Sequence, residues 1–280
     1  MFIMKLVVAK NQGFCFGGKR AVEIANKSLK NDPRPIQFLG KILHNDEVMD
    51  GFKRKGGKII SDLNRVSSGT LIISAHGASL KILKKAKNKK IIIRDTTCPF
   101  VKKNRLLIQD LDKKGYQIVI IGDREHKEVG GIKSFAKKET IIIGDVKQAA
   151  ALPNFEKLGV VSQTTQSLEN FNKIAKILRN KAKEIKIYNT ICPNILARQK
   201  ELLRIIKKVN MILVIGSHLS ANTKRLVEIS MKHGLSTILV NNPDELDKHK
   251  FGKKIKLGVV SGASAPNYLI KKIIKKLKTI

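Results

Sequence analysis

The sequence predicts an α/β protein built from three related modules, each on a parallel sheet. Three observations carry that prediction. Short apolar runs alternate with longer amphipathic ones, the pattern of strands exchanging with helices. A cysteine recurs at Cys15, Cys98 and Cys192, each time after a strand-like run and at the opening of a helix-like run. Polar landmarks then keep their distance from it: His44, His126 and Ser220 follow their cysteines by 29, 28 and 28 residues. The tetrapeptide Gly-Val-Val-Ser stands at 159–162 and again at 258–261, in matching places. Fixed spacing over several landmarks marks an internal repeat.

The elements follow in order. In the first module, residues 5–9 read as a strand before Cys15, 21–29 as a helix, and 36–39 as a strand ending near His44. A later strand, 71–77, ends on Ser74, His76 and Gly77. In the second, 91–93 precede Cys98, 101–111 are helical, 117–122 end near His126, and 159–165 close on Ser162, Gln163, Thr164 and Thr165. In the third, 185–188 precede Cys192, 195–209 are helical, 211–216 end near Ser220, and 258–264 close on Ser264. Residues 269–277 place apolar side chains at helical spacing among lysines and read as a docked terminal helix. The modules are expected at 1–98, 99–191 and 192–280, the last including the terminal helix. The N-terminal strand is free to pack on the third module.

Lysine and arginine total 56 against 22 acidic residues, a net charge of +34. The basic residues are spread along the chain, as at Lys84-Lys85, Lys113-Lys114 and Lys207-Lys208. Tryptophan is absent, and phenylalanine and tyrosine are not interleaved with basic runs as base-stacking platforms would be. The charge therefore reads as a solvated surface, and no specific nucleic-acid partner is expected. No window is apolar enough for a membrane span. The opening run lacks the basic flank and cleavage site of a leader. Few cysteines and no leader point to a reducing cytoplasm.

Three thiols cannot all pair within one chain, but equivalent positions in three modules can meet at one point. Cys98 and Cys192 precede proline, which favours the first helical position. A cysteine beside a helix N-terminus is stabilised as the thiolate, the metal-binding form. Zinc usually wants a fourth ligand, and no short Cys-x-x-Cys pair is present. Widely spaced ligands better suit an iron–sulfur cluster; the plain alternative is three small buried hydrophobes. His44, His76 and His126, with Ser220, Asn222 and Ser264, fall at strand ends, where α/β sheets bind ligands. Such donors suit a phosphate or diphosphate. Glu128 is the one carboxylate in that set and a candidate proton carrier. Thr164 and Thr165 offer hydroxyls to pass a proton or hold a substrate.

The motifs Gly13-Phe-Cys15, Leu43-His44-Asn45, Ser74-Ala-His76-Gly77, Asp95-x-Thr-Cys98-Pro99, His126-x-Glu128-Val129, Gln163-Thr-Thr165, Ile191-Cys192, Arg198-Gln199, Ser220-x-Asn222 and Gly262-Ala-Ser264-Ala-Pro266 run the length of the chain. In order and spacing they resemble the 4-hydroxy-3-methylbut-2-enyl diphosphate reductases, the IspH/LytB family. The resemblance implies three pseudo-threefold-related α/β modules around a central [4Fe–4S] cluster. Cys15, Cys98 and Cys192 would hold that cluster, leaving one iron lacking a protein ligand. It implies reduction of an allylic diphosphate to isopentenyl and dimethylallyl diphosphate, the last step of the non-mevalonate isoprenoid pathway, with ferredoxin or flavodoxin as electron donor. His44, His76, His126, Ser220, Asn222 and Ser264 match the diphosphate-binding positions. Glu128 matches the acid, working with Thr165. The chain departs from the family pattern at Lys127, where proline is usual, and at Pro193-Asn194 after Cys192. Ala221 replaces a serine, a loss worth about 1 kcal/mol if one hydrogen bond goes with it.

Overall fold

Strand and helix alternate along the whole chain in the computed structural model, which describes residues 3–89, 91–248, 251 and 254–279. The chain begins with β1 (Ile3–Val8) and α1 (Phe16–Asn31). It continues through β2 (Ile36–Leu39), α2 (Asp46–Arg54), β3 (Gly57–Ile60), β4 (Thr70–Ile73), α3 (Leu80–Lys87) and β5 (Ile92–Asp95). Next come α4 (Pro99–Lys113), β6 (Gln117–Ile121), α5 (Lys127–Lys133), β7 (Ile141–Ile143), α6 (Val146–Ala150), β8 (Phe155–Ser162), α7 (Leu168–Leu178) and β9 (Ala182–Ile187). The last stretch holds α8 (Pro193–Ile206), β10 (Met211–Ile215), α9 (Ala221–Lys232), β11 (Ser236–Val240), β12 (Lys254–Ser261) and α10 (Asn267–Leu277).

These strands form three four-stranded parallel sheets, ordered β3-β2-β4-β5, β7-β6-β8-β9 and β11-β10-β12-β1. Each sheet repeats one plan, in which the strand before the next cysteine supplies the fourth position. The third sheet has no later strand, and β1 takes that place beside β12. By contacts the chain makes two compact units, residues 1–18 with 193–280, and residues 19–192. The first unit holds the sheet containing β1; the second holds the other two.

The sequence dictates this arrangement through burial on both faces. In β10, Ile212 and Val214 point to one face, against Leu202, Ile205 and Leu226. Leu213 and Ile215 point to the other, against Leu269, Ile270 and Ile273 of α10. A strand covered on both sides reads as a continuous apolar run rather than an alternating one. The lysine-rich tail is therefore a docked helix. No helix among the described residues is long and apolar enough to cross a membrane.

The helices that follow the second strand of each plan matter most for function. They are α2, α5 and α9, capped at their N-termini by Asn45, His126 and Ser220. The helices α2 and α9 both stop at a glycine in the left-handed region, Gly56 (φ 86°) and Gly234 (φ 77°), where a side chain would cost backbone strain.

Candidate active site

In the unit of residues 19–192, three strand ends bring three imidazoles together. His44 precedes the cap of α2, His76 follows β4, and His126 caps α5. Their ring centroids lie 4.8, 5.6 and 6.5 Å apart, and one nitrogen from each lies within 4.8 Å of the others. Burial, foremost, holds the His44 imidazole down at about 4; the charges of His126, Lys127 and Lys41 add to this, and Asp46 opposes it. Burial likewise pushes His76 well below the usual imidazole range, with His44, His126 and Lys127 adding. Its Nδ1 is buried without a partner. A bound anion would offset the burial and the neighbouring positive charges that hold His44 and His76 neutral. Two lysines bear on the rings, so the local field favours an anion over a metal cation.

Beside the imidazoles sits a buried carboxylate. Glu128 is 2% exposed. Its Oε1 accepts from the Thr164 backbone N–H at 2.7 Å and its Oε2 from the Thr164 hydroxyl at 2.6 Å. Burial raises its pKa; the Thr164 bonds and Arg105 oppose that, while Asp123 adds to it. The threonine that meets Glu128 is Thr164, whereas the Thr165 hydroxyl accepts from Gln163 Nε2 at 2.7 Å. The chain turns after β8, and Gln163, which also accepts from the Asp123 N–H at 2.8 Å, draws Thr165 to its own side.

The same loop meets a cysteine. The Cys192 N–H donates to the Thr164 carbonyl at 2.9 Å, so Thr164 touches both the acid and this cysteine. Cys98, the cap of α4, donates its N–H to the Ala75 carbonyl at 3.0 Å, next to His76. Arg20 holds the approach to Cys98 by donating to the carbonyls of Thr96 and Thr97, both at 3.3 Å.

The other unit carries the remaining expected residues. The Cys15 N–H donates to the Ala263 carbonyl at 3.1 Å, which places Cys15 beside the loop bearing Ser264. Its Sγ accepts from the Gly18 N–H at 3.3 Å, as the opening turn of a helix would favour for a thiolate. Ser220 caps α9, and Asn222 follows two residues later, its amide oxygen and nitrogen both buried and without a partner. Such atoms are costly to bury and mark a place where a polar ligand would complete the set.

Arg198 stands behind Cys15. Its guanidinium donates to the Gly13 carbonyl at 2.7 Å and to the Ser261 carbonyl at 2.9 Å, and its Nε donates to Asn194 Oδ1 at 3.0 Å. Arg198→Met would leave two buried carbonyls without a charged donor and is expected to cost about 3 kcal/mol. Chemical denaturation measures this; wild-type stability in the variant would contradict the assignment.

None of the three cysteines is in a disulfide, and each stands at a helix start. By donor chemistry, soft thiolates suit an iron–sulfur cluster better than a hard cation.

Comparison with known proteins agrees over nearly the whole chain. The family described as LytB protein matches residues 6–278. The 4-hydroxy-3-methylbut-2-enyl diphosphate reductase of Geobacter metallireducens is 37% identical over 277 residues, 99% of this chain and 98% of its own. That of Campylobacter hominis is 39% identical over 282 residues, covering 99% and 100%. The solved E-1-hydroxy-2-methyl-but-2-enyl-4-diphosphate reductase of Plasmodium falciparum superposes with a TM-score of 0.92 at 35% identity, over 99% of this chain and 88% of that one. A second solved reductase, described as the terminal enzyme of the non-mevalonate pathway, gives 0.70 at 29% identity, over 99% and 100%.

Proposed function

Because the chain belongs to the LytB protein family, we propose that it removes the allylic hydroxyl of 4-hydroxy-3-methylbut-2-enyl diphosphate by reduction. Two electrons and two protons are consumed, one C–O bond breaks, one C–H bond forms, and water leaves. The products are isopentenyl and dimethylallyl diphosphate, at the end of the non-mevalonate route. One observation carries the reading: the buried acid Glu128, bonded to Thr164, lies on the same short helix as His126 of the imidazole group.

Cys15, Cys98 and Cys192 would hold a [4Fe–4S] cluster, which when bound would supply the electrons and, at one iron without a protein ligand, a Lewis-acid site. The remaining steps belong to the chain's own side chains. His44, His76 and His126, with Ser220, Asn222 and Ser264, bind the diphosphate. Glu128, whose carboxyl burial pushes above the usual carboxylate range, is the proton source for the departing hydroxyl. The Thr164 hydroxyl, 2.6 Å from its carboxyl, orients that proton and relays it. Thr165, next in the chain and accepting from Gln163 Nε2, is the second hydroxyl that works with the acid. An acidic electron carrier, a ferredoxin or flavodoxin, suits a surface of net charge +34.

The test of the reaction is anaerobic incubation of the reconstituted protein with reductant and substrate. Both isopentenyl and dimethylallyl diphosphate are expected; unconsumed substrate with an intact cluster would refute it. The imidazoles give a second expected result. The His44 pKa lies at about 4, so between that value and about 6.5, the usual imidazole value, the free protein leaves a proton off that an unfolded chain would bind. Stability is then lost as pH falls through this window. Inorganic pyrophosphate, by restoring charge to the rings, should be bound with proton uptake near pH 6. Calorimetry in buffers of different ionisation enthalpy measures it, and uptake equal in wild type and His44→Asn would remove His44 from the site.

A further inference from the structure

Arg105 is a buried cation that the reaction as described leaves without a task. It lies in the middle of α4, two turns beyond Cys98, and is 6% exposed. Its Nη2 donates to the Ala78 carbonyl at 3.2 Å, its guanidinium covers the Phe135 ring at 4.9 Å, and its Nε is buried without a partner. Gly77 (φ 82°) is packed so closely on it that an added Cβ would fall 1.7 Å from Nη2. Its charge is felt by Asp95 and Glu128. One side chain thus touches the loop of His76 and Phe135, two residues past α5, and its charge reaches the buried acid.

Burying a guanidinium with one nitrogen unpaired is expensive, and packing alone would be served by a leucine or methionine. We propose that Arg105 is a positioning residue for the reaction: it pins the loop that carries His76 and supplies the positive charge that Glu128 meets inside its apolar surroundings. The proposal rests on the reading of Glu128 as the acid. The other groups facing Glu128 are the Thr164 N–H and hydroxyl, the Asp123 carboxylate, and His126, whose Nδ1 accepts from the Glu128 N–H at 3.2 Å. Burial and Asp123 favour the protonated acid, and Thr164 and Arg105 favour the anion. Arg105 therefore biases Glu128 toward giving up its proton, against the larger effect of burial. The same group fixes the distance between donor and diphosphate site, because Gly131 of α5 backs onto the His76 and Ala78 carbonyls.

The test compares R105M, R105K and E128Q as holoenzymes reconstituted to equal iron content. The protonated carboxyl band of Glu128, identified in the infrared by its loss in E128Q, is titrated beside the pH profile of kcat. In R105M the band and the alkaline limb are both expected to move up by about half a pH unit or more, since an opposite charge is lost. In R105K both stay at the wild-type position, while KM rises several-fold because the reach to Ala78 is lost. A band and limb that stay in place in R105M, or that move equally in R105K, overturn the proposal. Wild-type turnover in E128Q would instead remove the acid assignment on which it stands, whatever R105M does. If R105M does not fold, the R105K arm still decides between charge and packing.

Discussion

Glu128→Gln is expected to keep its fold and its cluster and to lose turnover by about a thousandfold, the usual worth of a positioned acid. The amide fits the same volume and still accepts from the Thr164 N–H, but it has no proton to give. A second consequence follows from the sign of the shift. A carboxyl whose folded pKa is raised contributes stability at pH below its unfolded value and loses it as pH rises. Burial raises Glu128, so at neutral pH and above its ionisation opposes folding. The glutamine variant should therefore melt no lower than wild type at pH 8, and the two profiles should converge as pH falls toward 4. Turnover and melting temperature measured side by side check this; a fully active variant removes Glu128 as the acid.

Cys98→Ser carries the second large effect. Serine is itself a favoured N-cap, so α4 should still begin at Pro99 and the Cys98 N–H should still reach Ala75. What is lost is a soft ligand, and a neutral hydroxyl is a poor substitute for a thiolate. The variant is expected to show wild-type circular dichroism, greatly reduced iron and sulfide after anaerobic reconstitution, and activity down by at least about a hundredfold. Full iron with full activity would rule Cys98 out as a ligand.

Much of the fold was legible because its strands are buried on both faces. Ile118 to Ile121 of β6 and Ile212 to Ile215 of β10 are all fully buried, and such runs stand out in a lysine-rich chain. The cysteines were legible as helix openers because proline follows two of them. The short helix α5 was not, since its segment Lys-Glu-Val-Gly-Gly-Ile-Lys holds two glycines and is kept helical by tertiary packing. Which threonine meets Glu128 was equally hidden, because Thr164 and Thr165 are adjacent and only the turn after β8 separates their directions. Arg105 is spaced seven residues from Cys98, hence on the same helix face; among 56 basic residues that spacing alone did not distinguish it. Arg198 gave a signal only through its place in a motif, and its bonds to Gly13 and Ser261 join segments distant in sequence.

The central claim is that this chain reduces its substrate rather than dehydrating it, and electron counting tests that most directly. Under strictly anaerobic conditions, the reconstituted protein is given substrate and a measured amount of one-electron reductant, and oxidised reductant is counted against products. Two equivalents oxidised per molecule of isopentenyl plus dimethylallyl diphosphate is the expected result. Water loss that continues with no reductant present, or reductant oxidised with no such products, would contradict it.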